Sequence, residues 1–159
     1  MTFTRRLLVA GAALTSACAS SPQAGSDPAA APPSAEALTA ELQRVFDRSA
    51  RDWNAGDLDG FMADYANEST TSYVSRGAVR YGYDTIRGVY AGRFAPGAQR
   101  DSLRFENLAA RPLGATHALV TARFILHRGD STTASGPFSV VMERRADGWK
   151  ILHDHTSTD

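Results

Sequence analysis

The chain contains one cysteine, Cys18, and one lysine, Lys150. A lone thiol makes no internal disulfide, so an apolar core has to hold the fold. With a single lysine, nearly all positive charge is arginine. Basic and acidic residues balance at 17 each. No basic surplus or polybasic block points to nucleic acid or to a lipid-headgroup surface. No apolar run approaches the roughly twenty residues a transmembrane helix needs. Glycine-rich phosphate-binding motifs are also missing, so no cofactor is expected.

What the chain does have begins at its start. Arg5 and Arg6 precede an apolar run from Leu7 to Leu14, and Thr15-Ser16-Ala17 then leads into Cys18. A positive region, a short apolar region and small residues before a cut have the form of a secretory signal. The lone cysteine after Ser16-Ala17 resembles the lipobox of bacterial lipoproteins. That resemblance implies cleavage before Cys18 and acylation of its thiol. Thr4-Arg5-Arg6-Leu7-Leu8 also resembles a twin-arginine signal, so both export routes stay open. Ala19 follows the cysteine, where an aspartate would signal inner-membrane retention. The expectation is therefore an exported lipoprotein, on the outer membrane facing the periplasm.

Removing residues 1–17 takes away Arg5 and Arg6 and no acid, which turns the balance of 17 and 17 into a net charge of minus two. Membrane attachment would then come from the acyl chains on Cys18. The rest of residues 18–34 is mostly Ala, Ser, Pro and Gly and cannot bury a core. It reads as a flexible tether with a root-mean-square span of roughly 20–25 Å. One domain, residues 35–159, is left.

Ser34 can cap a helix in which Leu38, Leu42, Val45, Phe46, Ser49 and Trp53 share one face. Asn54-Ala55-Gly56 ends it. Asp57 can cap a second, shorter helix carrying Leu58, Phe61, Met62 and Tyr65. Residues 69–75 read as a strand that returns at Val79-Arg80-Tyr81. Asp84 can cap a third helix, stopped by Pro96-Gly97. Four strand-like runs follow, at about 101–112, 116–128, 131–145 and 149–157. Helices first and an antiparallel meander last give the α+β class.

Trp53-Asn54-Ala55-Gly56-Asp57-Leu58-Asp59-Gly60-Phe61 resembles the opening of the nuclear-transport-factor-2-like superfamily. Tyr83-Asp84-Thr85-Ile86-Arg87-Gly88 resembles its third-helix entry. Residues 148–157 resemble the last strand of its SnoaL-like and kinase-association-domain branches. The resemblance covers residues 36–158. It implies helices packed on a curved antiparallel sheet, a cone with a pocket, and frequent homodimers through the sheet.

Two constellations are candidates for a site. By the strand period of two, Trp149, Ile151, His153, His155 and Ser157 share one face, with Leu152, Asp154 and Thr156 on the other. If the first face turns inward, His155 and His153 can serve as acid/base groups. Satisfied structural imidazoles are the alternative. A zinc site needs a third ligand, and none is fixed near the pair, so no metal is expected. The second constellation is aromatic. Trp53, Tyr65, Tyr73, Tyr90, Phe124, Phe138 and Trp149 can wall a pocket for a small molecule or simply fill the core.

The opening around Gly56 also resembles ketosteroid isomerase, whose chemistry takes a carboxylate base, a tyrosine and a protonated aspartate. Counted from Gly56, the tyrosine place is Ser49, the base place is Tyr73, and the second aspartate falls near Val140 or Val141. None matches, so the shared opening speaks for fold and against steroid isomerisation. The reading is an envelope-anchored module that binds a small, partly apolar molecule without catalysis. Its alternatives are a SnoaL-like enzyme using His155 and His153, and a dimerisation module with a vestigial pocket.

Overall fold

The computed structural model describes residues 33–159. The expected signal, Cys18 and nearly all of the tether lie outside those residues. Helix α1 spans Ala35–Ala55, α2 Leu58–Met62 and α3 Tyr83–Phe94. The strands are β1 Ser72–Ser75, β2 Ala78–Tyr81, β3 Ser102–Pro112, β4 His117–Arg128, β5 Ser131–Arg145 and β6 Gly148–Thr156. The architecture is α+β, as expected, with the helices packed on one curved, unclosed sheet. No helix among the described residues is long and apolar enough to cross a membrane.

Local chemistry explains the helix ends. The Ser34 hydroxyl accepts a hydrogen bond from the Ala37 amide at 3.2 Å, and Asp57 accepts one from Gly60 at 2.8 Å. Gly56 closes α1 in the left-handed region at φ 80°, where a side chain would be strained. Helix α3 differs from expectation. It begins one residue before Asp84, after Gly82, which offers no side-chain cap, and Asp84 lies in the first turn.

The sheet order is β2-β1-β6-β5-β4-β3. The meander from β3 to β6 is antiparallel throughout, but β1 lies parallel to β6. That junction carries the short β1–β2 hairpin to the edge beside β6, a placement the sequence pattern does not reveal. Register shifts interrupt β3–β4, β4–β5 and β5–β6. Such bulges bend and twist a sheet, which lets it wrap the helices.

Helix α1 buries Leu38, Leu42, Phe46, Ser49 and Trp53 against the sheet. Each large apolar side chain contributes about 1.5–3 kcal/mol by leaving water. Polar clamps fix the helix end. The Trp53 indole donates to the Asp101 carbonyl at 2.9 Å, and the Asn54 amide both donates to Leu103 O and accepts from Leu103 N. These clamps hold Trp53 in the wall of a cavity on the helix side of the sheet.

Candidate functional site

A cavity of about 340 Å³ lies between α1, α3 and the concave face of the sheet. Its volume falls at the small end of the roughly 300–1,000 Å³ usual for small-molecule pockets. Phe46 and Trp53 come from α1, Tyr90 from α3, and Phe105, Phe124 and Phe138 from the meander. Edge-on ring contacts lock the wall, with Trp53 at 5.2 Å from Phe61 and Phe61 at 5.0 Å from Tyr90. Arg76, Val89 and Arg93 line the cavity and are exposed, so they mark where it meets solvent.

The floor is a single row across the sheet. Arg80 on β2 stands opposite Tyr73 on β1, Tyr73 beside Asp154 on β6, Asp154 opposite Val140 on β5, and Val140 opposite Val120 on β4. Four of these five line the cavity; Val120 is fully buried beneath it.

Asp154 reaches that row because β6 does not alternate evenly. Met142 pairs with Ile151, but the next residue of β5, Val141, pairs with His153. Leu152 is therefore the extra residue of a bulge, and everything after it changes face. Trp149 and Ile151 are buried before the bulge, and Asp154 is buried after it at 5% exposure. Asp154 and Thr156 line the cavity; His153 and His155 do not. This corrects the expectation that the histidines share a face with Trp149 and Ile151. His155 is exposed, and His153 is half-buried with Nδ1 2.8 Å from the Ser72 hydroxyl. The bulge sits where Ile151 also bonds the segment after α2: its amide donates to Asp64 O at 2.7 Å, and its carbonyl accepts from Ala66 N at 2.9 Å. Those two bonds place Tyr65 directly over β6.

Tyr65 is the partner that results. Its hydroxyl donates to Asp154 Oδ2 at 2.7 Å, and Thr156 donates to Oδ1 at 2.8 Å. The Tyr65 and Tyr90 hydroxyls lie 3.1 Å apart. Since Tyr65 gives its proton to Asp154, Tyr90 donates to Tyr65, and the three groups form a directed chain. Burial pushes the Asp154 carboxyl above the usual aspartate range, against the pull of the Tyr65 and Thr156 hydrogen bonds. Burial, and then the charge of Asp154, pushes both tyrosines well above their ordinary range, so they stay protonated donors. A carboxyl of this kind, in an aromatic cavity and linked to hydroxyls, can take a proton from a bound molecule or give one.

The structure brings six of the seven aromatic candidates to one cavity: Trp53, Tyr65, Tyr73, Tyr90, Phe124 and Phe138. Trp149 is not among its walls. Its indole donates to Glu41 at 3.0 Å, and the Arg144 guanidinium covers its ring at 4.8 Å. Sequence reasoning missed Asp154, which even alternation had put on the opposite face. Ser49, Tyr73 and Val140, the three places counted from the isomerase resemblance, all line the cavity. The buried carboxyl is present one strand over, paired in register with Val140. Among the described residues, no three His, Cys, Asp or Glu side chains are grouped to hold a metal ion.

The model of the SnoaL-like domain matches residues 42–158. The chain belongs to the SnoaL-like domain family. Solved structures agree on the fold. A nuclear-transport-factor-2-like protein of unknown function from Shewanella oneidensis is 28% identical, with a TM-score of 0.66 over 76% of this chain and 98% of that one. A putative calcium/calmodulin-dependent protein kinase type II association domain from Thiobacillus denitrificans is 22% identical, with a TM-score of 0.60 over 82% and 98%. A putative aromatic ring hydroxylase from Novosphingobium aromaticivorans is 15% identical, with a TM-score of 0.61 over 75% and 87%. The latter two are similar in fold alone. No curated protein matches the chain.

Proposed function

We propose that this SnoaL-like domain binds a small, partly apolar molecule in its cavity and works at the cell envelope, anchored through acylated Cys18. One observation carries the binding reading: an aromatic-walled cavity of about 340 Å³ with a hydrogen-bonded polar cluster, Asp154, Tyr65 and Tyr90, on its lining. An apolar body with a few fixed polar anchors is the usual make-up of a small-molecule site. Leu119 and Val141 face each other on the outer side of the sheet, and there we place a homodimer contact. The test of binding is a calorimetric titration of the full chain with small aromatic ketones and acids. Micromolar binding that weakens at least tenfold in Tyr65→Phe supports the reading, and no heat across the set would end it.

A second reading is favoured by the Asp154 carboxyl itself. A buried acid raised by its surroundings and hydrogen-bonded to tyrosine suits proton transfer next to a carbonyl. Asp154, not His155 or His153, is the group placed for it. The measurement is deuterium wash-in at the α-carbons of phenylacetone, followed by NMR. Exchange that falls about a hundredfold in Asp154→Asn would make the domain an enzyme. Exchange no faster than in buffer leaves binding as the function.

A further inference from the structure

Arg80, Tyr73 and Asp154 occupy neighbouring strands in one row, and all three line the cavity. Adjacent strands lie about 4.8 Å apart, so two steps separate the Arg80 and Asp154 backbones by roughly 10 Å. The Nη1 of Arg80 is buried and has no hydrogen-bond partner among the described residues. A guanidinium keeps its charge at any physiological pH, so this unused donor is a charged one. Arg76 and Arg93 line the same cavity, and Arg93 lies over the Trp53 ring at 5.8 Å. The one acid on the lining is Asp154, whose two oxygens already accept from Tyr65 and Thr156. No carboxylate of the described residues therefore answers Arg80. The cavity is cationic at its β2 side, carries the hydroxyl–carboxyl cluster at β6, and is walled by phenylalanines on β3, β4 and β5.

We infer that the cavity takes a small organic acid, with its carboxylate on Arg80, its apolar body against the aromatic wall and a hydrogen-bonding group toward Tyr65 and Asp154. The inference rests on the reading of the cavity as a ligand site and narrows that ligand to an anion. A flat carboxylate matches the donor fork of a guanidinium. A monoanion also suits the site better than a dianion, which would meet the Asp154 charge across the same small space.

The test compares 3-phenylpropionate with its neutral isostere 3-phenylpropionamide, each titrated calorimetrically into the full chain at pH 7. The acid should bind at least tenfold tighter, about 1.4 kcal/mol. Arg80→Gln should close that gap by weakening the acid at least tenfold more than the amide, while Arg80→Lys should keep part of it. Equal affinities in the unmodified chain would overturn the acid preference and leave the cavity reading standing. Binding of neither compound would overturn both. A gap that survives in Arg80→Gln would overturn Arg80 as the seat of the carboxylate. Should Arg80→Gln fail to fold, the acid–amide comparison and Arg80→Lys still decide.

Discussion

Tyr65 donates its hydroxyl to Asp154 at 2.7 Å, across 89 positions of sequence. The bond joins the loop after α2 to the last strand, and it is made inside the cavity. Asp154 gives it a pH signature. Burial raises the folded-state pKa of the carboxyl above its unfolded value near 4. The folded state then holds the proton more tightly than the unfolded state. Stability from this group is full below about pH 4 and is lost as pH rises through the raised value. An asparagine cannot ionise and still accepts from Tyr65. Asp154→Asn should therefore gain stability relative to the unmodified protein between pH 4 and pH 7, read from urea midpoints at each pH. A relative loss over that range would show a carboxylate held charged by its partners. Tyr65→Phe leaves Oδ2 without its donor and should cost about 1–3 kcal/mol at pH 7.

His155→Gln is the companion experiment. The imidazole is exposed on the face away from the cavity. Its replacement should leave cavity binding within twofold and the thermal midpoint within a degree or two, as surface changes usually do. A loss of binding comparable with that of Tyr65→Phe would return the histidine to the site.

The difference between these two residues shows what could be read from sequence. Periodicity is a local signal, and it placed α1, the Asp57 cap and the four long strands close to their observed bounds. Side-chain parity along β6 is not local. It turns on the bulge at Leu152, where no glycine or proline marks the site, and which arises from pairing with β5 and with the segment around Tyr65. One extra residue exchanged the histidines for Asp154. The six aromatic walls were legible because large residues from every element converge on any small core. The unpartnered charge of Arg80 was not, because it depends on β1 pairing parallel to β6.

Gly136 on β5 offers a test of packing at the sheet end. A Cβ there would run into the backbone carbonyl of Ser157, whose carbon would be 2.8 Å away. The tail is held along β5 by Ser157 N to Pro137 O and by Asp159 N to Ser135 O, both at 3.0 Å. The Asp159 carboxylate is gripped by Arg123 and Ser135 as well. Gly136→Ala should displace this tail and cost about 1–3 kcal/mol, the usual scale of overpacking. Equilibrium denaturation measures it. An unchanged midpoint would mean that residues 157–159 detach at no cost.

The anchor is tested at Cys18. Its place after Thr15-Ser16-Ala17 motivates the experiment. Cys18→Ala should leave an uncleaved, unacylated precursor, seen by intact-mass spectrometry of the membrane fraction. The unmodified chain should yield a diacylated species that begins at Cys18. A mature chain that is soluble and carries no acyl group would remove the anchor from the proposed function.

The outer face of the sheet leads to the last expectation. Leu119 and Val141 stand opposite each other there, both half-buried, while Val120 and Val140 fill the inner face. A sheet covered on one side alone usually shows polar residues on the other. The simplest cover for such a patch is a second copy about a twofold axis, which lets each patch meet its own equivalent. Light scattering of the full chain in detergent, with micelle mass subtracted, should give a dimer at high micromolar concentration. Leu119→Asp places an unpaired carboxylate in the contact and should weaken association at least a hundredfold. Because Leu119 faces away from the cavity, the variant should still bind 3-phenylpropionate. A monomer in the unmodified protein at that concentration would leave the sheet face without a partner.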